Sequence, residues 1–283
     1  MRLVAFEHQG APRLGVVDGE AVIDLADAAP DLPRELAALL RREGGLAAAG
    51  AAAKSAKPAA RGALKGLRLL PPVGNPGKIV CLGLNYVDHA AEGGHAKPTY
   101  PSLFLRCTSS LCGHGAPIVR PRCSSSLDYE AELVAVVGRT ARHVEKDKAL
   151  DIIAGYSCFN DASVRDYQRK TTQWTIGKNF DATGAFGPWF VTADELPDPQ
   201  ALAISLRVNG QLRQSSHTSK MIFPVAQCIE VLSQGMTLLP GDIIATGTPE
   251  GVGAASGSFL KAGDRIEAEV EQIGILPSKV VRP

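Results

Sequence analysis

Three acidic side chains dominate the chemistry this sequence can offer. In Leu127-Asp128-Tyr129-Glu130-Ala131-Glu132-Leu133-Val134-Ala135-Val136-Val137, a period of two puts Glu130 and Glu132 on one face of a strand, and the apolar run behind them draws that strand into a fold. Two carboxylates facing one partly buried space cost several kcal/mol each to desolvate, and a cation between them offsets that cost. The alternative is an edge strand with both glutamates in water. Asp161 adds a third oxygen ligand if the Asn160-Asp161 turn, at the end of the apolar run over 152–159, returns to the same place. The same aspartate also suits the N-cap of a helix expected over 162–170. Three carboxylates with no Cys or His favour a hard ion, Mg²⁺ first, then Mn²⁺ or Ca²⁺.

A second constellation is Gly83-Leu84-Asn85-Tyr86-Val87-Asp88-His89-Ala90-Ala91-Glu92. On a helix Asn85, His89 and Glu92 share a face, so that Glu92 can orient the imidazole as part of a water-activating pair; a surface His-Glu pair is the bland reading. Arg165 and Gln168 fall four and seven residues after Asp161, lining one face of the expected helix. Lys178 is either a solvated surface lysine or an ammonium aimed at a carboxylate or enolate. The loop Ala245-Thr246-Gly247-Thr248-Pro249-Glu250-Gly251-Val252-Gly253 can present backbone N–H groups to an anion, although it is neither a P-loop nor a dinucleotide fingerprint.

The elements that must position these groups read as β-rich. Residues 1–28 alternate short apolar runs with turns, as a small antiparallel meander does. Leu32, Leu36, Leu39 and Leu40 predict an amphipathic helix over 32–46, and the Ala-rich stretch 47–60 is its continuation or a linker. Pro71-Pro72-Val73-Gly74-Asn75-Pro76-Gly77 breaks regular structure and divides a small N-terminal domain, 1–70, from a catalytic domain, 71–283. Strands are expected over 79–83, 127–137, 152–159, 205–208 before an Asn209-Gly210 turn, 242–246 and 265–270. With no βαβ alternation, the fold class is α+β.

Thirty Lys and Arg against twenty-nine Asp and Glu leave a formal charge of +1, so no global field attracts nucleic acid or an anionic membrane. The N-terminus turns polar before a signal region forms, and no apolar run approaches the roughly 18 residues of a spanning helix, so a cytoplasmic location is expected. Six scattered cysteines without a C-x-x-C pair read as reduced; a zinc site from Cys107, Cys112 and Cys123 fits no standard spacing.

In chain order, Gly83-Leu84-Asn85-Tyr86-x-x-His89-x-x-Glu92, Asp128-Tyr129-Glu130-x-Glu132-Leu133, Asn160-Asp161-x-Ser163-x-Arg165-Asp166-x-Gln168, Gly177-Lys178-x-x-Asp181 and Pro240-Gly241-Asp242-x-Ile244-x-Thr246-Gly247-Thr248-Pro249-x-Gly251-Val252-Gly253 resemble the fumarylacetoacetate hydrolase family. The resemblance covers about residues 78 to 276, and residues 1 to 70 look like the variable N-terminal domain that many members carry. It implies a mixed β-roll catalytic domain, often in a homodimer, with Mg²⁺ or Mn²⁺ on Glu130, Glu132 and Asp161 and a proton-handling pair at His89 and Glu92. It associates Arg165, Gln168, Lys178 and Thr248 with substrate, Lys178 also as positive charge for an enolate. Arg106, which stands where many small members have lysine and some hydrolases have arginine, is expected to contact substrate with them, and Asn85 stands where the hydrolase proper has a fourth acidic ligand. These departures draw the likeness toward acylpyruvase, oxaloacetate decarboxylase and 2-hydroxyhepta-2,4-diene-1,7-dioate isomerase type members. The implied function is metal-dependent C–C hydrolysis of a small 2-oxo acid; decarboxylation or isomerisation on the same site is the alternative, and a non-catalytic metal-stabilised binding protein the distant one.

Overall fold

The computed structural model describes residues 1–94 and 96–283. The expected meander is present as β1 (Arg2–His8), β2 (Ala11–Asp18) and β3 (Ala21–Asp24). In place of one helix over 32–46 there are two, α1 (Leu36–Arg41) and α2 (Gly45–Ser55). Gly44 turns left-handed between them, with φ 66°, and no continuous helix survives that conformation. The Ala-rich stretch is therefore mostly helix, with Ala49 and Ala53 buried.

Further along come β4 (Ile79–Gly83), α3 (Val87–Glu92), β5 (Ser102–Leu105), β6 (Leu127–Asp128), β7 (Ala131–Val137) and β8 (Ile153–Asp161). They are followed by β9 (Ser163–Val164), the single turns α4 (Arg165–Gln168) and α5 (Thr175–Lys178), and β10 (Gly184–Thr192). The last third holds β11 (Ala203–Val208), β12 (Gln211–His217), β13 (Ile243–Ala245), the short α6 (Gly253–Ser256), β14 (Arg265–Val270) and β15 (Gly274–Val281). Asn209 and Gly210 both take positive φ, 52° and 78°, as a tight β11–β12 hairpin requires.

A twelve-stranded sheet has β3-β2-β1-β10-β8-β7-β13-β4-β5 side by side, with the short strand Arg61–Ala63 paired outside β3, and a five-stranded sheet contains β12-β11-β14-β15. The two stack on each other through β7. Its Leu133, Ala135 and Val137 join the core with Leu206, Ile266 and Val270 of the smaller sheet, while Val134 and Val136 join the opposite core with Leu3, Leu36, Ala49 and Phe159. Burial on both faces is why this strand is apolar at every position after Glu132. Residues of the N-terminal seventy share the second core, and β1 pairs directly with β10.

Two local expectations change around the acidic residues. The strand over 127–137 is interrupted at Tyr129-Glu130, because β6 pairs with β9 whereas β7 pairs with β8. That same β6–β9 pairing extends Ser163-Val164, so the helix over 162–170 shrinks to α4 and Asp161 ends a strand instead of capping a helix. Asn85 precedes α3, whose N-cap is Tyr86, and so shares no helical face with His89 and Glu92. Among the described residues no helix is long and apolar enough to cross a membrane, and all six cysteines are unpaired.

Candidate active site

Period-two geometry carries the acidic residues to one end of the large sheet. Glu132 lies opposite Phe159 in the β7–β8 register, and Asp161, two residues further on, projects on the Phe159 face. Glu130, in the gap before β7, is fixed by its own N–H, which donates to Asn160 Oδ1 at 2.9 Å. One carboxylate oxygen from each of Glu130, Glu132 and Asp161 lies within 4.8 Å of the others, and all three residues are buried. Among the described residues they are the one group of three or more Asp, Glu, His or Cys close enough to share an ion.

Cations surround this cluster unevenly. Lys178 Nζ donates to Glu130 Oε2 at 2.5 Å and to Asp161 Oδ2 at 2.6 Å, Arg165 Nη2 lies 2.6 Å from Glu130 Oε1, and Arg106 Nη1 donates to Asp161 Oδ1. Arg165 Nε also serves Asp128 Oδ2 at 2.8 Å. Glu132 receives only the Gly247 N–H, at 2.8 Å on Oε2. Four buried carboxylates thus share three cations, and Glu132 is the one left without a cation in contact among the described residues.

The consequences for charge are opposite on two glutamates that are nearly adjacent in sequence. Burial, reinforced by Asp161 and Glu130, pushes Glu132 well above the usual carboxylate range. Burial acts the same way on Glu130, but Arg165 and Lys178 outweigh it and hold its carboxyl at about 2. Burial also works against the Lys178 ammonium, yet Asp161 and Glu130 keep its pKa above the ordinary lysine value. An oxygen-only donor set with one uncompensated buried charge fits a hard divalent cation.

A cavity of about 520 Å³ opens above the cluster. Glu130, Glu132 and Lys178 form its floor, and His89, Glu92, Gln168, Thr248 and Trp174 are among the residues of its walls. His89 Nδ1 lies 3.4 Å from Glu92 Oε2, and Glu92 accepts the Gly251 N–H at 3.0 Å, which ties α3 to the glycine-rich loop. A larger groove of about 1240 Å³, between the N-terminal helices and the start of β8, does not reach the carboxylates.

The structure therefore brings His89, Glu92, Glu130, Glu132, Arg165, Gln168, Lys178 and Thr248 to one cavity, with Asp161 behind Lys178. Arg106 departs from its expected contact with substrate. Its side chain is wholly buried and does not line the cavity; Nε and Nη2 donate to Ser110 Oγ and Thr183 Oγ1 while Nη1 holds Asp161. Thr248 lines the wall, but its hydroxyl already donates to Ala131 O and accepts from Gln214 Nε2, both at 2.9 Å.

Three supporting residues were not assigned roles from sequence. Asp128 accepts from Arg165 Nε and from the Gly253 and Ala254 N–H groups, at 2.8, 2.7 and 2.8 Å, joining the acidic strand to α6. Its place two residues before Glu130 was the available signal. Gln214 clamps the start of β7 from the second sheet, and nothing near it in sequence announces that reach. Asn85 takes no ligand position; its amide binds Thr246 O at 2.7 Å and Phe223 O at 3.0 Å, bracing the loop that delivers Gly247 N–H to Glu132. Gly247 has φ 91°, and a Cβ there would sit 2.8 Å from Asn85 Cβ, so only glycine fits this approach.

Residues 78–281 match the family described as fumarylacetoacetate (FAA) hydrolase C-terminal. A putative hydrolase of Burkholderia lata is 42% identical over 279 residues, covering 97% of this chain and 96% of its own. The mitochondrial oxaloacetate tautomerase of Rattus norvegicus is 38% identical over 297 residues, covering 99% and 92%. The solved maleylpyruvate hydrolase from Sphingobium sp. SYK-6, in complex with manganese(II) and pyruvate, superposes with a TM-score of 0.83 at 33% identity, over 100% of this chain and 99% of that one.

Proposed function

Because the chain belongs to the fumarylacetoacetate hydrolase family of enzymes, we propose that it hydrolyses a carbon–carbon bond in a small 2-oxo acid of the acylpyruvate type, with Mg²⁺ or Mn²⁺ held by Glu130, Glu132 and Asp161. The observation that carries this reading is the convergence of three buried carboxylates within 4.8 Å, Glu130 and Glu132 at the floor of a cavity whose wall holds a His-Glu pair and Asp161 behind Lys178. The manganese and pyruvate in the Sphingobium enzyme support it.

Glu130, Glu132 and Asp161 would hold the ion, which would supply Lewis acidity at the 2-oxo group. His89, oriented by Glu92, takes a proton from water that adds to the distal carbonyl. The carbon–carbon bond then breaks with its electron pair moving to the 2-oxo fragment, and His89 returns the proton to that carbon. Lys178 and Arg165, fixed by their carboxylates before substrate arrives, supply preorganised positive charge around the departing fragment. Gln168 and Thr248 bound the substrate chain. Turnover of acetylpyruvate with Mn²⁺ in ¹⁸O-labelled water tests the reaction: label in the acetate is expected, and pyruvate release without label in the acid product would rule hydrolysis out.

A second reading is favoured by the rat relative, which is an oxaloacetate tautomerase. The same centre would then assist enol–keto interconversion of a 2-oxo diacid, with His89 moving the proton and no water consumed. Deuterium exchange at C3 of oxaloacetate faster than any cleavage would select it. We extend the proposal to a homodimer, supported by Leu103 and Leu105, which stand exposed on the edge strand β5. Sedimentation at twice the chain mass is the check.

A further inference from the structure

The cations of the cavity fall into two sets. Arg165 and Lys178 are buried and committed to Asp128, Glu130 and Asp161 at 2.5–2.8 Å. Arg169 also lines the cavity, but it is exposed, and its guanidinium has no hydrogen-bond or ion-pair partner among the described residues. It follows directly on α4, so the turn that fixes Arg165 and Gln168 also sets the position of Arg169. Trp174 stands on the same wall. Its ring meets Phe104 edge-on at 5.6 Å between centroids and fills the space over Gly83, where a Cβ would come within 2.2 Å of the indole. Leu82, Leu84 and Val252 complete an apolar lining between floor and rim.

We infer that Arg169 reads a second carboxylate at the far end of the substrate, with Trp174 walling the chain between the two ends, so that the cavity selects 2-oxo diacids over 2-oxo monoacids. This rests on the proposed function, because it takes the 2-oxo end to sit at the carboxylate floor. The inner cations are already neutralised, so a distal carboxylate gains most from the one guanidinium that is not. At an exposed position such a charge-assisted contact corresponds to about a tenfold preference.

Calorimetric binding of 2-oxoadipate and of 2-oxohexanoate, which has the same carbon count with a methyl in place of the far carboxylate, tests this without relying on turnover. With Mn²⁺-loaded protein, 2-oxoadipate should bind about tenfold more tightly. The ratio should collapse toward one in Arg169→Gln and be partly retained in Arg169→Lys. Equal affinities in the unmodified protein, or a full preference in Arg169→Gln, would overturn the assignment of Arg169 while leaving the 2-oxo acid reading intact. Failure of both compounds to bind would overturn the two together.

Discussion

The floor and the rim of the cavity are built on different principles. On the floor, Glu132 and Lys178 are 1% and 2% exposed, and partners at 2.5–2.8 Å come from β7, β8, α5 and the glycine-rich loop. At the rim, the His89 and Glu92 side chains are 15% and 25% exposed and meet at 3.4 Å on a helix of six residues. A buried charge tolerates few geometries, because each lost partner leaves an unpaired group out of water. An exposed pair can move without that penalty. On the proposed reading, rigid chemistry belongs to the floor, and proton handling and substrate choice to the rim.

The largest expected effect breaks the floor. Glu132→Gln keeps an acceptor for Gly247 N–H but removes the charge that a cation needs, and activity with saturating Mn²⁺ should fall on the order of 10³-fold. Steady-state kinetics would measure it, and full activity would separate the cluster from catalysis. Lys178→Met removes the ammonium shared by Glu130 and Asp161, so metal-free protein should lose about 3–5 kcal/mol of unfolding free energy in urea, with much of it restored by Mn²⁺. His89→Ala sharpens the contrast from the other side. Its kcat should drop about 10²-fold while the urea midpoint and Mn²⁺ affinity stay unchanged.

A subtler difference lies within the floor. Glu130, held at about 2, stabilises the folded chain above the unfolded glutamate value of about 4.3, and that contribution is lost as pH falls toward about 2. Glu132, pushed upward, behaves in the opposite sense: the folded state favours its protonated form, so stability is lost as pH rises from about 4.3 through its raised pKa. In chelator-treated protein the Tm of Glu132→Gln should therefore overtake that of the unmodified chain as pH rises. Parallel Tm curves across this range would show that Glu132 carries no such burden.

Much of this site was legible before the fold was known, because short periods carry it. Glu-x-Glu ahead of five apolar residues announces a strand buried on both faces, and that strand is β7. The Asn-Gly hairpin and the N-terminal meander are equally local signals. What failed was decided by long-range pairing. Ser163-Val164 reads as the start of a helix until Leu127-Asp128 takes it as a strand partner, and that pairing also breaks the strand before Glu130. Arg106 looks like a substrate cation in isolation; only the fold sets Asp161, Ser110 and Thr183 around it. Asn85 and Gln214 act across separations of 138 and 83 residues, a reach that no sequence period encodes.

The carboxylate centre is tested most directly by titrating Mn²⁺ into chelator-treated protein and into Glu132→Gln, with binding followed by calorimetry and the ion's paramagnetic resonance signal. One ion per chain should bind the unmodified protein, and the variant should bind about 10²-fold more weakly or not at all. Superimposable isotherms for the two proteins, or no binding by either, would contradict an ion held by Glu130, Glu132 and Asp161.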